Sequence, residues 1–257
     1  MSFGTIPYKR AWYLDVVSSG SVDMRPLICV LEMLRNGNFE EVRSLVPLLT
    51  HSSLDVRLYA QQLFADVCSN DDACAFNLAL EASKTLDETR RIVLRMGQTL
   101  SLSVIPILLT WREALNDPEI DEYVCDALSA ILPIDGVDQF SVSRPNLRKT
   151  YEAKIASLDA SSYYYRGKKL FLGDIAKELI VASTVAFKEK TKVIAASQAQ
   201  ILSNFCGQKC PVINGQLVTG SDMDALLSYV EVIAATKWKV GSKYFFRHEI
   251  ATRRGDR

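Results

Sequence analysis

Histidine is nearly missing from this chain: His51 and His248 are the only two in 257 residues. A histidine-based catalytic set would have to be built on one of them. The signatures GxGxxG, GxxxxGK[ST], HExxH and GxSxG are missing as well, which removes the dinucleotide, P-loop, zinc-protease and hydrolase readings. No stretch of 18 apolar residues occurs, and the best, residues 179–187, is too short to cross a bilayer. The opening MSFGTIPYKRAWYLDVV has two basic residues but no apolar block of signal-peptide length, so a cytoplasmic protein that does not engage a membrane is expected. Glycine (12) and proline (8) are sparse, so few turns should interrupt long helices.

Cysteine is present without a framework. Cys29, Cys68, Cys74, Cys125, Cys206 and Cys210 are scattered, and without an export signal they read as reduced, mostly buried side chains. Cys206 and Cys210 sit in CGQKC, but a metal site wants more ligands at short spacing and both histidines are remote in sequence. A plain loop at a helix end is the simpler reading, and no metal or cofactor is expected. His51 lies in the turn THSS, where capping or solvent contact is expected. His248 stands beside Glu249 near the end, with nothing to place it in a cleft. An enzyme built on His248 or Cys206 would need a pocket that sequence does not reveal. Arg-Gly-Asp at 254–256 is too short a match to carry meaning.

What is present is helical periodicity. Hydrophobic residues make up 48% and charged residues 23%, a globular balance that argues against disorder. Ser53-Leu54-Asp55, Thr85-Leu86-Asp87 and Glu119-Ile120-Asp121 recur with their aspartates 32 and 34 residues apart. Each opens an amphipathic segment: DVRLYAQQLFADV, DETRRIVLRMGQTL and DEYVCDALSAIL. Before each lies another helix-like run: FEEVRSLVPLL, ACAFNLALEAS and SVIPILLTWREAL. The connectors THSS, KT and NDP are short, as antiparallel helix pairs require. Asn38 and Asp117 are expected as N-caps, the latter with Pro118 at the first helical position. Pro47 and Pro106 fall inside the first helix of a pair. The pattern predicts a HEAT-like array of about three helix pairs, which must stack because no pair can bury its apolar face alone, with residues 24–34 as a capping helix.

From Pro133 the regularity stops. Residues 1–134 are expected to form the repeat unit, and residues 135–257 a mostly helical unit with short hairpins. In the second unit, residues 146–158 read as a helix and residues 163–172 as a hairpin or extended turn around Gly167. Helices follow at 173–187, capped by Gly173-Asp174, and at 188–205, ended by Gly207. Asn214-Gly215 is a two-residue turn signal between Val-Ile and Leu-Val. Residues 222–238 read as a last helix, and KVGSKYFFRHEI as an extended aromatic-basic tail. The fold class expected is therefore mostly α with minor β-hairpin content.

Net charge is zero, yet residues 1–135 hold 19 acids against 11 bases and residues 136–257 hold 11 against 19. Two oppositely charged units are expected, suited to attracting each other or a charged partner. Between Arg112 and Arg144 there are no bases but eight acids: Glu113, Asp117, Glu119, Asp121, Glu122, Asp126, Asp135 and Asp138. These are either ordinary solvated helix ends or an acidic surface offered to a basic partner. Tyr163, Tyr164 and Tyr165, with Phe171, are a second candidate contact, or alternatively a packing joint between the halves. Nucleic acid is not expected as a partner: the repeat half is acidic, and the lysines at 188, 190, 192, 237, 239 and 243 are spread out.

The run TLSLSVIPILLTWREALNDPEIDEYVCDALSAIL resembles the third helical repeat of a family of bacterial immunity proteins from polymorphic-toxin and contact-dependent growth inhibition systems. YYYRGKKLFLGDIAKELI, GQKCPVINGQ and WKVGSKYFF are similar to later stretches of that family, in order along residues 30–246. The resemblance implies an antitoxin with no reaction of its own. Its partner would be the C-terminal domain of a cognate toxin, a small basic nuclease being the natural guess. The rival readings are a HEAT-like scaffold or adaptor and a nucleic-acid-binding helical repeat of the alkylation-repair type.

Overall fold

The computed structural model describes residues 24–115, 117–134 and 144–251. The Asp135 and Asp138 expectations lie outside these residues. The first helix, α1 (Arg25–Arg35), turns Leu27, Val30, Leu31 and Leu34 inward. A 3-10 segment, Phe39–Thr50, follows it. Next come α2 (Leu54–Val67), a 3-10 turn Ala73–Ala75 running into the six-residue α3 (Phe76–Glu81), and α4 (Leu86–Gln98). A further 3-10 turn, Leu102–Val104, leads into α5 (Ile105–Leu115), and α6 (Pro118–Ile131) closes this part.

The second members of the pairs are regular helices, and α4 and α6 have capped starts, whereas Ser53 at the head of α2 makes no side-chain cap. The Thr85 hydroxyl accepts from the Glu88 amide at the head of α4. The Asp117 carboxylate accepts from the amides of Glu119 and Ile120 at 2.8 and 3.1 Å, with Pro118 at the first position of α6. The first members depart from the expectation of plain α-helices. Pro47 has no N–H to give and sits inside a continuous 3-10 run. Asn38 makes no side-chain cap there. Pro106 is the second residue of α5, where its missing donor costs nothing, rather than interior.

Successive pairs are tied at the spacing of the repeat. Arg95 reaches Gln62 at 3.4 Å, 33 residues away, and the Trp111 indole donates to Asn77 at 2.9 Å, 34 residues away. Arg57 pairs with Glu88, and Arg90 with Glu119. Helices α4 and α6 approach closely at Gly97, where a Cβ would lie 2.8 Å from the Ala127 Cα. Only glycine fits there.

After α7 (Arg144–Ala156) comes a hairpin of β1 (Tyr164–Tyr165) and β2 (Lys168–Lys169), then α8 (Leu172–Glu189), α9 (Ala196–Cys206) and α10 (Gly220–Ala234). A second hairpin, β3 (Tyr244–Phe245) with β4 (His248–Glu249), ends the described chain. The fold is thus mostly helical with two small hairpins, as expected. Three local expectations are corrected. The helix read at 188–205 is broken: Lys190 ends α8 in the left-handed region (φ 53°), and α9 starts only at Ala196. The Asn214-Gly215 turn forms as expected, Gln216 N–H donating to the Ile213 carbonyl at 3.3 Å, but the residues flanking it do not pair with each other. They lie along residues 192–195 through the antiparallel bridge Lys192–Leu217, with the Asn214 side-chain oxygen accepting from the Ala195 amide at 3.0 Å. The tail read as extended folds back as the second hairpin.

Buried apolar residues fall into two clusters that interleave. One runs from Met24 to Leu132 and takes in Leu147, Tyr151, Tyr164, Phe245 and Ile250. The other is built on α8, α9 and α10 and takes in Leu100, Tyr163, Tyr165 and Tyr244. Each hairpin sends alternate side chains into different clusters, as strand pleating dictates. No helix among the described residues is long and apolar enough to cross a membrane.

Candidate functional site

The acid-rich segment is brought to one side of α5 and α6, but most of its charge is used internally. Glu113 holds Arg148 of α7 in a two-pronged pair, both contacts 2.8 Å. Asp117 caps α6. Glu119 pairs with Arg90, and Asp121 accepts from the buried Arg112 guanidinium at 3.2 Å. Glu122 and Asp126 are different. They stand one turn apart on α6, both exposed, and neither forms an ion pair among the described residues. Partial burial, and then the Glu122 carboxylate, raise the Asp126 pKa above its ordinary value.

Tyr163, Tyr164 and Tyr165 are only 1, 2 and 6% exposed. Their rings are held inside the protein, so they act as the packing joint rather than as an open contact. The Tyr163 hydroxyl donates to the Cys68 carbonyl at 3.4 Å, and the Tyr164 hydroxyl accepts from the Asp159 amide at 3.0 Å. Cys206 and Cys210 are free and buried, and burial pushes both thiols up to about 11, which keeps them protonated and unreactive near neutrality. His51 accepts from the Ser53 amide at 3.1 Å within its turn. His248 is exposed on β4 and lies against Gly37. Among the described residues, no three His, Cys, Asp or Glu side chains gather as a metal set.

Sequence reasoning overlooked the pairing of the two hairpins. Ser162-Tyr163-Tyr164-Tyr165 and Ser242-Lys243-Tyr244-Phe245 stand 80 residues apart, with Leu170 and Ile250 each eight residues after the serine. That echo was the available signal. In both, the turn amides close a helix end: Arg166 and Gly167 donate to the carbonyls of Ala130 and Ile131 in α6, and Phe246 and Arg247 to those of Asn204 and Phe205 in α9. Such carbonyls would otherwise lack partners. The hairpins also bond to each other, Tyr163 N–H to the Gly241 carbonyl at 2.9 Å and Gly241 N–H to the Leu170 carbonyl at 2.7 Å. Lys243 is the buried oddity: at 1% exposure its ammonium donates to the carbonyls of Ala65 and Thr99 at 2.6 and 3.0 Å and lies 5.4 Å from the centre of the Tyr163 ring. Burial lowers its pKa. The open cavity where the hairpins meet, about 330 Å³, is edged by the Lys239–Glu249 pair at 2.5 Å. Its charges satisfy each other and leave none directed at a ligand.

The described residues present a braced, mostly helical scaffold. A sequence model of the Immunity protein 47 family matches residues 16–250, and the chain belongs to that family of immunity proteins. No curated protein and no solved structure matches the chain.

Proposed function

We propose that this immunity protein neutralises a cognate toxin domain by binding it, without a reaction of its own. The observation that carries the reading is the family match across nearly the whole chain. The stacked, HEAT-like helix pairs support it, because such arrays present extended surfaces to other proteins. The partner is the C-terminal domain of a polymorphic or contact-dependent toxin, met in the cytoplasm, and a basic nuclease domain suits the acidic repeat half.

Within the acid-rich segment, Glu122 and Asp126 are the carboxylates placed to steer a basic partner, since Glu113, Asp117, Glu119 and Asp121 already serve the fold. The double change Glu122→Lys/Asp126→Lys should slow association about tenfold at low salt and converge on wild type at high salt, where steering is screened. Stopped-flow association with the toxin domain encoded beside this gene reads the effect. An unchanged on-rate at low salt would show that the two carboxylates are merely solvated.

A further inference from the structure

Shifted by 80 residues, the two hairpins repeat each other's hydrogen bonds. The Tyr164 hydroxyl accepts from the Asp159 amide, and the Tyr244 hydroxyl from the Lys239 amide, both at 3.0 Å. Leu170 N–H donates to the Tyr163 carbonyl at 2.8 Å, and Ile250 N–H to the Lys243 carbonyl at 2.9 Å. The registers match as well, Tyr164 opposite Lys169 and Tyr244 opposite Glu249. The open ends differ. At the first, Gly241 bridges the strand ends: its carbonyl accepts from Tyr163 N–H at 2.9 Å and its N–H donates to the Leu170 carbonyl at 2.7 Å. The matching groups of the second hairpin are the Lys243 N–H and the Ile250 carbonyl. Neither has a hydrogen-bond partner among the described residues. Ser242, Glu249, Ile250 and Ala251 at this second mouth line the open cavity of about 330 Å³, and Gly241 is part of its wall. The mouth thus continues the interface between the hairpins.

The first mouth shows what such a place accepts. Gly241 enters by its backbone, at φ 81°, and a Cβ on it would lie 2.7 Å from the Ser162 Oγ. Ser242 stands where Ser162 does, and each hydroxyl donates to its neighbouring carboxylate, Ser162 to Asp159 at 2.7 Å and Ser242 to Glu249 at 2.8 Å. The place fits one glycine of a tight turn, held by its N–H and its carbonyl. Lys239 and Glu249 neutralise each other at the rim, so a neutral turn suits it. A second copy of this chain supplies no such glycine among the described residues. Gly37, Gly167 and Gly215 have left-handed backbones but already donate their N–H to the carbonyls of Leu34, Ile131 and Val193. Gly207 is packed against Phe246, and Gly241 fills the first mouth.

We propose that the open end of the second hairpin is a docking slot for a neutral, glycine-bearing turn of the cognate toxin domain. The turn bonds to the Lys243 N–H and the Ile250 carbonyl as Gly241 bonds to the first hairpin. The inference rests on the toxin-binding reading above, and it uses backbone groups rather than the carboxylates on α6. Because the hairpin already fixes both groups, docking orders little of this chain, which favours affinity.

The test adds the proposed cognate toxin domain to the 257-residue chain and follows amide hydrogen exchange by NMR. At saturation, exchange at the Lys243 amide should slow about tenfold more than at the Tyr163 amide, which is already bonded and reports only the general stabilisation by a bound partner. Ala251→Trp, at an exposed residue of the cavity wall, should weaken Kd about tenfold or more in titration calorimetry while Tm stays unchanged. Val181→Trp, at a 55% exposed position on α8, is the control and should leave Kd unchanged; equal losses in the two variants would overturn the slot. If wild type binds but the two amides slow alike, or Ala251→Trp binds as tightly as wild type, the slot is not used and the toxin-binding reading stands. If wild type binds no toxin domain at micromolar concentrations, that reading fails and the slot with it. Should Ala251→Trp misfold, the exchange comparison in wild type decides alone.

Discussion

At the first hairpin the residue after Ser162 is Tyr163, whose ring lies in the core and whose hydroxyl makes one long bond to a carbonyl. At the second, the residue after Ser242 is Lys243, equally buried, whose ammonium joins carbonyls from α2 and from the turn after α4. The turns differ too. Arg166 and Gly167 take φ 49° and 81° in the first, and Phe246 and Arg247 take φ 47° and 70° in the second, so the difference lies at the second turn position, glycine in one and arginine in the other. Two-residue hairpin turns of this kind need left-handed residues, which suits glycine and strains a bulky side chain. The second turn persists because its two amides close α9, the Arg247 guanidinium donates to the Cys206 carbonyl at 3.2 Å, and Phe246 packs under Arg35. One backbone device thus serves two purposes: the first hairpin seats aromatic surface, and the second clamps the end of the chain to the helix pairs.

That difference predicts unequal damage. Lys243→Ala would leave two buried carbonyls without donors beside a cavity. It should cost about 3 kcal/mol, lowering Tm by roughly 6–12 °C for a chain of this size. Tyr163→Phe removes one long hydrogen bond and should cost no more than about 1 kcal/mol. Equal losses in thermal melts would remove the asymmetry. At the turns, Gly167→Ala forces a Cβ into the left-handed region and should cost about 1 kcal/mol. Arg247→Gly relieves strain but loses a hydrogen bond, and should fall within about 0.5 kcal/mol of wild type.

The smallest effect concerns the ion pairs that staple each hairpin, whose signs are swapped. In the first, Lys169 pairs with Asp159 of the preceding loop; in the second, Lys239 of the loop pairs with Glu249 of the strand. Asp159 also accepts from Ser161 and Ser162, and these bonds with that from Lys169 hold its carboxyl far below the usual range. Glu249 is lowered mainly by Lys239, with help from Ser242. A folded pKa below the unfolded one means a contribution that is full at neutral pH and lost as pH falls through the folded value. Carboxyl NMR titration should therefore find Glu249 protonating first as pH drops, with the Asp159 staple surviving to more acidic conditions. The reverse order would show that the serines do not strengthen the first staple.

Helices α4 and α6 were the most legible because each carries its own start signal: Thr85 with Glu88 at α4, and Asp117-Pro118 at α6. The repeat spacing reappears closely in ties between pairs, 33 residues from Arg95 to Gln62 and 34 from Trp111 to Asn77. The first members of the pairs were less legible, because proline placement separates 3-10 from α geometry only once neighbouring packing is known. The break at Lys190 had no glycine or proline to announce it. The candidate surface was legible only in part. Charge density marked 113–126 correctly as acidic, but only tertiary structure shows that four of those acids are already paired or capping and that the tyrosines are internal. Lys243 and Ile194 look misplaced in sequence, a lysine inside and an isoleucine outside, because long-range packing decides both.

The proposed neutralisation requires that the folded chain bind its toxin. Mixing the 257-residue chain with its proposed cognate toxin domain, and measuring complex formation by titration calorimetry alongside that domain's own activity, tests this most directly. A stoichiometric complex of nanomolar affinity that abolishes toxin activity is the predicted result. A toxin domain that remains fully active, with no complex formed at micromolar concentrations of both proteins, would contradict it.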